Sequence, residues 1–341
     1  MPVKHTHIGG QAVLEGVMMR GRHNWAVAIR KPDGEIHVEE HALRTAVSKH
    51  PKLGKPIIRG VVGLYESLVL AMKAFAVSAE YAGETEEEKL SSKEIALSMV
   101  LGVGLAVVLF IVLPAVLTNF MVGQATERPF TWNVVDGILR VAAFFIYIWA
   151  ISRMKDIQRV FAYHGAEHKT IHAYERGIPL DAAMIQRYQT MHVRCGTSFL
   201  LMVMVIAILV YSLIPVKVIT GWMGTDARAV TLAVAILLRI LLLPLIAGLA
   251  YEVIKWAGKA PDNRLVKIVL WPGLQLQRMT TREPEDDMIE VAVVAMSAVI
   301  ACEERAEAIA RGESVPETGA CTIDLLDDEV LVDEVEPVIL S

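Results

Sequence analysis

Residues 229–251 read AVTLAVAILLRILLLPLIAGLAY, a run of 23 residues in which Arg239 is the single charged side chain. A helix needs about 20 consecutive apolar residues to cross the roughly 30 Å hydrocarbon core of a bilayer. Three other stretches have a comparable length and composition, at residues 95–118, 134–151 and 198–219. The sequence therefore predicts an α-helical integral membrane protein with four transmembrane helices, in contact with the lipid bilayer.

The composition and charge distribution agree with this class of protein. Of the 341 residues, 54% are hydrophobic, which exceeds what a soluble core of this size needs. Residues 1–280 carry 30 basic and 21 acidic side chains, whereas residues 281–341 carry 3 and 17. The basic excess forms no stripe, so no nucleic-acid partner is predicted. Residues 312–341 are predicted to be an acidic disordered tail.

Lysine and arginine are concentrated in one connection between the predicted spans, at residues 152–197. Because the cytoplasmic loops of membrane proteins carry an excess of these residues, this connection is predicted to be cytoplasmic. With four spans, the N- and C-termini are then cytoplasmic as well. The basic residues of this connection are Arg153, Lys155, Arg159, Lys169, Arg176, Arg187 and Arg194.

The regions outside the spans divide into two predicted cytosolic parts. Residues 1–90 indicate a small α+β unit, with strands at 25–30 and 35–39 joined by the turn Pro32-Asp33-Gly34. A glycine-rich segment precedes the strands and is not expected to form a packed strand. An amphipathic helix is predicted at 60–81, lying against the domain or the membrane surface. After the last span, 252–311 is predicted to hold a juxtamembrane segment and a cytosolic helix.

The stretch His164-Gly-Ala-Glu-His-Lys-Thr-Ile-His-Ala-Tyr-Glu175 is the strongest candidate for a chemical site. On a helix, its three histidines and Glu175 share an arc of roughly 80°, and Glu167 flanks that arc. Histidines at i and i+4 can ligate one ion, and a neighbouring carboxylate can activate water. The pattern predicts a divalent metal site, with zinc favoured. The alternative is that these histidines are interfacial side chains that bond to backbone groups and lipid phosphates.

The sequence pattern assigns two metal ligands and a general base, but it leaves the third ligand open. His164 and His168 are the predicted ligands, and Glu167 is the predicted general base. The third ligand stays open between four side chains. They are His172, Glu175, His192 and Cys195.

Three further residues are weaker candidates. Gln11 and Glu15 could complete the site if the glycine-rich segment folds over it. Arg239 lies halfway along the last predicted span, where an unpartnered charge costs several kcal/mol. Its role could be structural or functional, and it requires polar partners. Asp136 and Arg140 are expected nearer the outer surface, in reach of water.

Several strings of this sequence together resemble the bacterial YqhQ-like family, a domain of unknown function. The resemblance covers residues 7–300 and implies a bacterial cell-membrane protein that is labelled a predicted metal-dependent enzyme. The strings are GGQAVLEGVMMRG at 9–21, RGV at 59–61, YHGAEHK at 163–169, RCGTSF at 194–199 and TTREP at 280–284.

Two functional hypotheses follow. The first is a membrane-embedded metal-dependent hydrolase whose site opens at the cytoplasmic membrane face. The second is a non-enzymatic scaffold or biogenesis factor that binds another membrane protein or complex and holds at most a structural metal. A transporter is disfavoured, because Arg239 is the only charge placed deep in a span.

Overall fold

The computed structural model describes residues 7–43, 45–83, 92–192, 195–214, 216–224, 227–258 and 263–313. These residues form a helical bundle joined to a small antiparallel sheet. The acidic tail predicted at 312–341 lies outside the described residues from position 314 onward.

The sheet contains four strands in the order β1-β2-β3-β4, each antiparallel to its neighbour. The predicted hairpin is confirmed, since β3 and β4 pair with Arg30 opposite Ile36, and Gly34 occupies the turn with φ +89°. The glycine-rich segment forms a second hairpin, so the expectation that it would not pack as strands was wrong. The strands are β1 Gly9–Val13, β2 Gly16–Arg20, β3 Asn24–Arg30 and β4 Ile36–Ala42.

The helices follow the sheet in chain order. A 3₁₀ turn at Pro51–Gly54 separates the first two, and a π-helical turn at Val108–Val112 joins α3 to α4. The helices are α1 Ala46–Lys49, α2 Ile58–Tyr81, α3 Ser92–Val107, α4 Leu113–Met121, α5 Pro129–Ile151, α6 Lys155–Glu175, α7 Ala182–Ile185, α8 Gly196–Ser212, α9 Val216–Trp222, α10 Arg228–Gly258, α11 Arg264–Thr280 and α12 Asp286–Ala310.

Four of the described helices are long and apolar enough to cross a membrane. Three match predicted spans, at Leu97–Met121, Pro129–Ile151 and Arg228–Ala257. The fourth is α2, which we expected to lie against the domain or the membrane surface. The span predicted at 198–219 is instead divided into α8 and α9, because Pro215 follows in the sequence and disfavours helical geometry at Ile214.

Successive side chains of each strand point to opposite faces of the sheet, and both faces are buried. Met18 and Val27 face α2, where Leu70 is buried. On the other face, the side chains of Met19 and Ala28 pack against α6 and α12. The predicted N-terminal unit, the histidine-bearing helix and the C-terminal helix thus share one core.

Helix α2 also connects the sheet to the bundle. Gly60 lies against Tyr251 of α10 so closely that an added Cβ would stand 2.7 Å from the Tyr251 Cβ. Arg59 donates to Glu252 at 2.8 and 2.5 Å. The apolar face of α2 that we expected to lie against the domain or the membrane surface is largely exposed, including Leu68 at 54% and Met72 at 46%. This outer face has the apolar character of a lipid-facing surface.

Candidate functional site

Helix α6 carries the histidine motif. The helix is confirmed over Lys155–Glu175 and ends before Gly177, whose φ is +66°. It is enclosed by β1, by α12 and by the segment that precedes α8. Its His/Glu face is therefore buried, whereas a surface helix would expose such residues to water.

Two backbone carbonyls orient His164 and His168. The Nδ1 of His164 lies 2.9 Å from the carbonyl oxygen of Thr280, and the Nδ1 of His168 lies 2.5 Å from that of Thr190. A carbonyl oxygen only accepts hydrogen bonds, so each Nδ1 carries the proton. Each ring then presents the lone pair of Nε2. Carbonyl support of this kind fixes the histidine ligands of metal sites.

Those two Nε2 atoms converge with a thiol and a carboxylate. The Sγ of Cys195 lies 3.3 Å from the Nε2 of His164. Glu167 Oε2 lies 3.9 Å from that nitrogen and 3.8 Å from the Nε2 of His168. Tetrahedral zinc with Zn–N of about 2.0–2.1 Å and Zn–S of about 2.3 Å places its ligand atoms roughly 3.4–3.6 Å apart. The observed separations approach that spacing.

Glu167 is the most unusual group in this cluster. Its side chain is fully buried, and within the described chain neither carboxylate oxygen forms a well-aligned hydrogen bond. The Nε2 of His168 is likewise buried without a hydrogen-bond partner there. Burial raises the pKa of the Glu167 carboxyl to about 7, against the opposing effects of His164 and the Gly10 backbone. A cation bound between these atoms would remove the cost of leaving them unpaired.

The ligand atoms of His164, His168 and Cys195 all lie within 4.8 Å of one another. Cys195 stands at the N-terminal end of α8, where the helix dipole favours a negatively charged ligand atom. The structure thus brings one of the four open candidates, Cys195, to the two predicted ligands. We refer to these three residues with Glu167 as the upper cluster.

The other three candidates form a separate lower cluster, His172, Glu175 and His192, whose ligand atoms also lie within 4.8 Å of one another. The Nε2 of His192 is 3.5 Å from Oε2 of Glu175. His172 donates from Nε2 to the carbonyl of Met191 at 2.9 Å and accepts at Nδ1 from Arg176 at 3.2 Å. Both nitrogens of His172 are therefore engaged, and a guanidinium occupies its lone pair. The lower cluster is consequently less suited to a cation than the upper one.

The four histidine rings of the two clusters form a continuous column. Successive ring centroids are 4.4 Å apart from His164 to His168, 5.7 Å from His168 to His192 and 4.6 Å from His192 to His172. Burial lowers the pKa of His172, and the nearby Arg176 adds to that effect. A neutral imidazole is the form that ligates metals or relays hydrogen bonds.

Helix α11 supplies support that the sequence did not reveal. The buried side chain of Gln277 accepts from the backbone N–H of His192 at 2.8 Å and donates to its carbonyl at 2.8 Å. It also donates to the hydroxyl of Ser198 at 3.1 Å. These three bonds hold both ends of the segment that carries His192 and Cys195. The neighbouring string TTREP, at 280–284, was the one sequence signal for this region.

The glycine-rich hairpin does meet α6, but its polar residues do not join the clusters. Gly10 lies against Glu167, and an added Cβ would stand 2.6 Å from the Glu167 Cγ. Glu15 pairs with Arg159 at 2.6 and 2.5 Å, nearer the start of α6. Gln11 lines a small cavity on the opposite, α2-facing side of the sheet, beside Ser67. The contribution of β1 to the site is thus the close backbone approach at Gly10.

Arg239 lies in a second polar cluster, inside the helical bundle. It donates to Asn133 at 3.0 Å, to Asp136 at 3.3 and 3.4 Å and to the carbonyl of Ala235 at 3.1 Å. The expectation that Asp136 and Arg140 reach water was wrong, since they are 2% and 5% exposed and pair at 3.0 Å. Helix packing turns both side chains inward.

Comparison with known proteins places the chain in one family. The model of the family described as "Protein of unknown function (DUF1385)" matches residues 55–302, which contain both clusters. The uncharacterized protein YqhQ of Bacillus subtilis (strain 168) is 31% identical over 316 residues, covering 88% of this chain and 94% of the relative. No solved structure matches the chain significantly. The sequence resemblance is confirmed, and the chain belongs to the DUF1385 family of proteins of unknown function.

Proposed function

We propose that this protein is a membrane-embedded, metal-dependent hydrolase in which His164, His168 and Cys195 hold a zinc ion. The observation that supports this most directly is the fully buried Glu167 carboxylate, which faces two oriented Nε2 lone pairs and forms no well-aligned hydrogen bond within the described chain. A soft thiolate with two imidazoles is a ligand set typical of zinc. The excess of lysine and arginine around α6 supports a site at the cytoplasmic membrane face.

The proposed roles follow from the positions of the side chains. A zinc ion held by these three ligands would supply Lewis acidity and would lower the pKa of an adjacent water molecule to about 7. Glu167 would act as the general base, since its Oε2 lies within 4 Å of both proposed ligand nitrogens. The carbonyls of Thr190 and Thr280 keep both imidazoles in the ligating tautomer.

Metal content tests the first part of this proposal. We expect detergent-purified wild-type protein to contain about one equivalent of zinc by inductively coupled plasma mass spectrometry, matching a single tetrahedral site. His164→Ala/His168→Ala should lose that metal at matched size-exclusion behaviour. His172→Ala is the matched control on the same helix and should retain it. A well-folded wild-type preparation that is metal-free without any chelator step would refute the proposal.

Hydrolysis needs its own assay, because a metal alone does not establish catalysis. We would incubate the purified protein with a native membrane extract and search by mass spectrometry for products that have gained one water. Glu167→Gln keeps the three proposed ligands and removes the base. It should retain zinc and lose product formation by about 10²–10⁴-fold, the usual contribution of a general base.

The non-enzymatic alternative is supported by the complete burial of Glu167 and His168. In this arrangement Glu167 is a fourth ligand, and a closed four-ligand site is structural. The sheet and α12 would then form a scaffold that binds another membrane complex. Loss of zinc from Glu167→Gln, together with a stable partner in detergent pull-downs, would favour this second function over the first.

A further inference from the structure

Helix α2 is long and apolar enough to cross a membrane, but the surroundings of its second half are polar. In that half, Leu70 and Ala74 are buried against the sheet. At the end of the helix, Tyr81 stacks on His37 with 3.8 Å between ring centroids, and the Nε2 of His37 lies 3.1 Å from Glu39. Strand residues of this kind are costly in hydrocarbon, so this half of α2 belongs to the polar part of the protein.

The outward face of α2 is an apolar stripe, which we call the α2 stripe. Its five side chains are each at least 40% exposed, and they are Ile58, Tyr65, Leu68, Met72 and Phe75. At 100° and 1.5 Å per residue, they fall within an arc of about 100° and extend along about 26 Å of the helix. Glu66 and Lys73 occupy the middle of α2, where a span would carry both charges into the bilayer core.

This one-sided pattern differs from that of α3, which is also of membrane length. The exposed apolar side chains of α3 are distributed over an arc of about 200°, as expected for a helix surrounded by lipid. A helix with one apolar face and charges beside it is instead typical of a helix that lies in the membrane interface.

Both ends of α2 are close to helices that have the character of membrane spans. At its start, Arg59 pairs with Glu252 of α10, directly after the apolar run 229–251. At its end, Tyr81 is eleven positions before Ser92, the first residue of α3. An upright α2 would rise about 36 Å, which is most of the distance that such a connection can cover. A helix along the membrane surface needs little of that reach.

We propose that α2 is an interfacial helix that does not cross the bilayer, and that the α2 stripe docks on membrane lipid at the boundary between headgroups and acyl chains. Lys52, Lys55 and Lys73 are exposed on or just before the helix, and lysines there can meet lipid phosphates. The docked helix would hold the sheet beside the membrane, including Gly10, which lies against Glu167. This inference goes beyond the proposed function and does not depend on a bound metal.

Spin-label depth tests the proposal in the full-length protein, reconstituted in nanodiscs of phosphatidylethanolamine and phosphatidylglycerol. A nitroxide is attached in turn to Tyr65→Cys, Leu68→Cys, Met72→Cys and Phe75→Cys, and the ratio of its accessibilities to oxygen and to a nickel chelate reports its depth. The unsubstituted protein, in which Cys195 is buried, gives the background. We expect similar depths at all four positions, about 5–10 Å below the headgroups.

The matched controls are Leu97→Cys, Leu101→Cys and Leu105→Cys, which are similarly exposed on α3. Because these positions follow the axis of a span, their depths should differ by up to about 12 Å. A comparable gradient along α2 would show that α2 spans the membrane and would overturn the proposal. Labels open to water at all four α2 positions would also overturn it, as would spin–spin broadening that places a second copy on the α2 stripe.

A matched pair of substitutions tests whether the α2 stripe itself makes the contact. Met72→Gln should raise the water-exposed fraction of the label at Phe75→Cys about tenfold, since it removes one apolar side chain from the docking face. Met184→Gln is the control, because Met184 is 44% exposed on α7 whereas Met72 is 46% exposed. An unchanged label in Met72→Gln would overturn the proposal. Zinc content should be the same in both variants, so failure here leaves the metal proposal standing.

Discussion

Gln277→Met is the substitution that best tests how α11 supports the candidate site. Methionine fills a similar volume but forms none of the three hydrogen bonds that Gln277 makes to His192 and Ser198. At about 1 kcal/mol for each bond, the loss amounts to about 3 kcal/mol of folding free energy. Because support of this kind orients ligand segments, we also expect zinc affinity to fall about 10–100-fold.

The assay combines thermal unfolding in detergent with competition for zinc by a chromophoric chelator. Gln275→Met is the control, because Gln275 lies on the same helix, is partly exposed and has no hydrogen bond assigned to its side chain within the described residues. It should leave both quantities unchanged. Wild-type zinc affinity in a destabilised Gln277→Met protein would refute the positioning role. Unchanged stability would refute the hydrogen-bond network itself.

Three further predictions concern the bundle, the α6 packing and the metal. Arg239→Met should lose about 3 kcal/mol of stability in detergent unfolding, since it breaks a buried ion pair. The control Arg187→Met, at an exposed position, should be neutral. Gly165→Ala should lower the stability of the protein by more than about 2 kcal/mol, because the added Cβ would meet the carbonyl oxygen of Arg282 at 2.0 Å. The control Gly102→Ala should be tolerated, because a Cβ added there meets no atom within 4 Å. Chelation should lower the unfolding temperature reversibly, since a ligand at about 1,000 times its Kd adds about 4 kcal/mol.

Local patterns predicted much of the secondary structure. The Pro32-Asp33-Gly34 turn defined the β3–β4 hairpin, because its glycine adopts the positive φ that such a turn requires. Long apolar runs identified three of the four membrane-length helices. Helix α2 was expected to lie against the domain or the membrane surface because its sequence is one-sided, and its other face packs on the sheet and on α10. Periodicity alone does not tell which neighbour covers a face.

The candidate site was predictable only in part, for a related reason. His164, Glu167 and His168 share one helix, so the 3.6-residue period placed them together from sequence. Cys195 and the carbonyl of Thr280 approach them from 31 and 116 residues away from His164. The sequence left Cys195 among four alternatives and offered no indication of Gln277.

The sequence by itself determined the apolar helices, the central hairpin and the His/Glu face of α6, because each depends on residues within a few turns or strands of one another. Only the tertiary structure decided that Cys195 joins the upper cluster, that His172 is occupied by Arg176, and that Arg239 meets Asp136. Those contacts depend on how α6, α8, α10 and α11 pack. Packing minimises exposed apolar area and unpaired polar groups over the whole chain at once, so no local pattern encodes it.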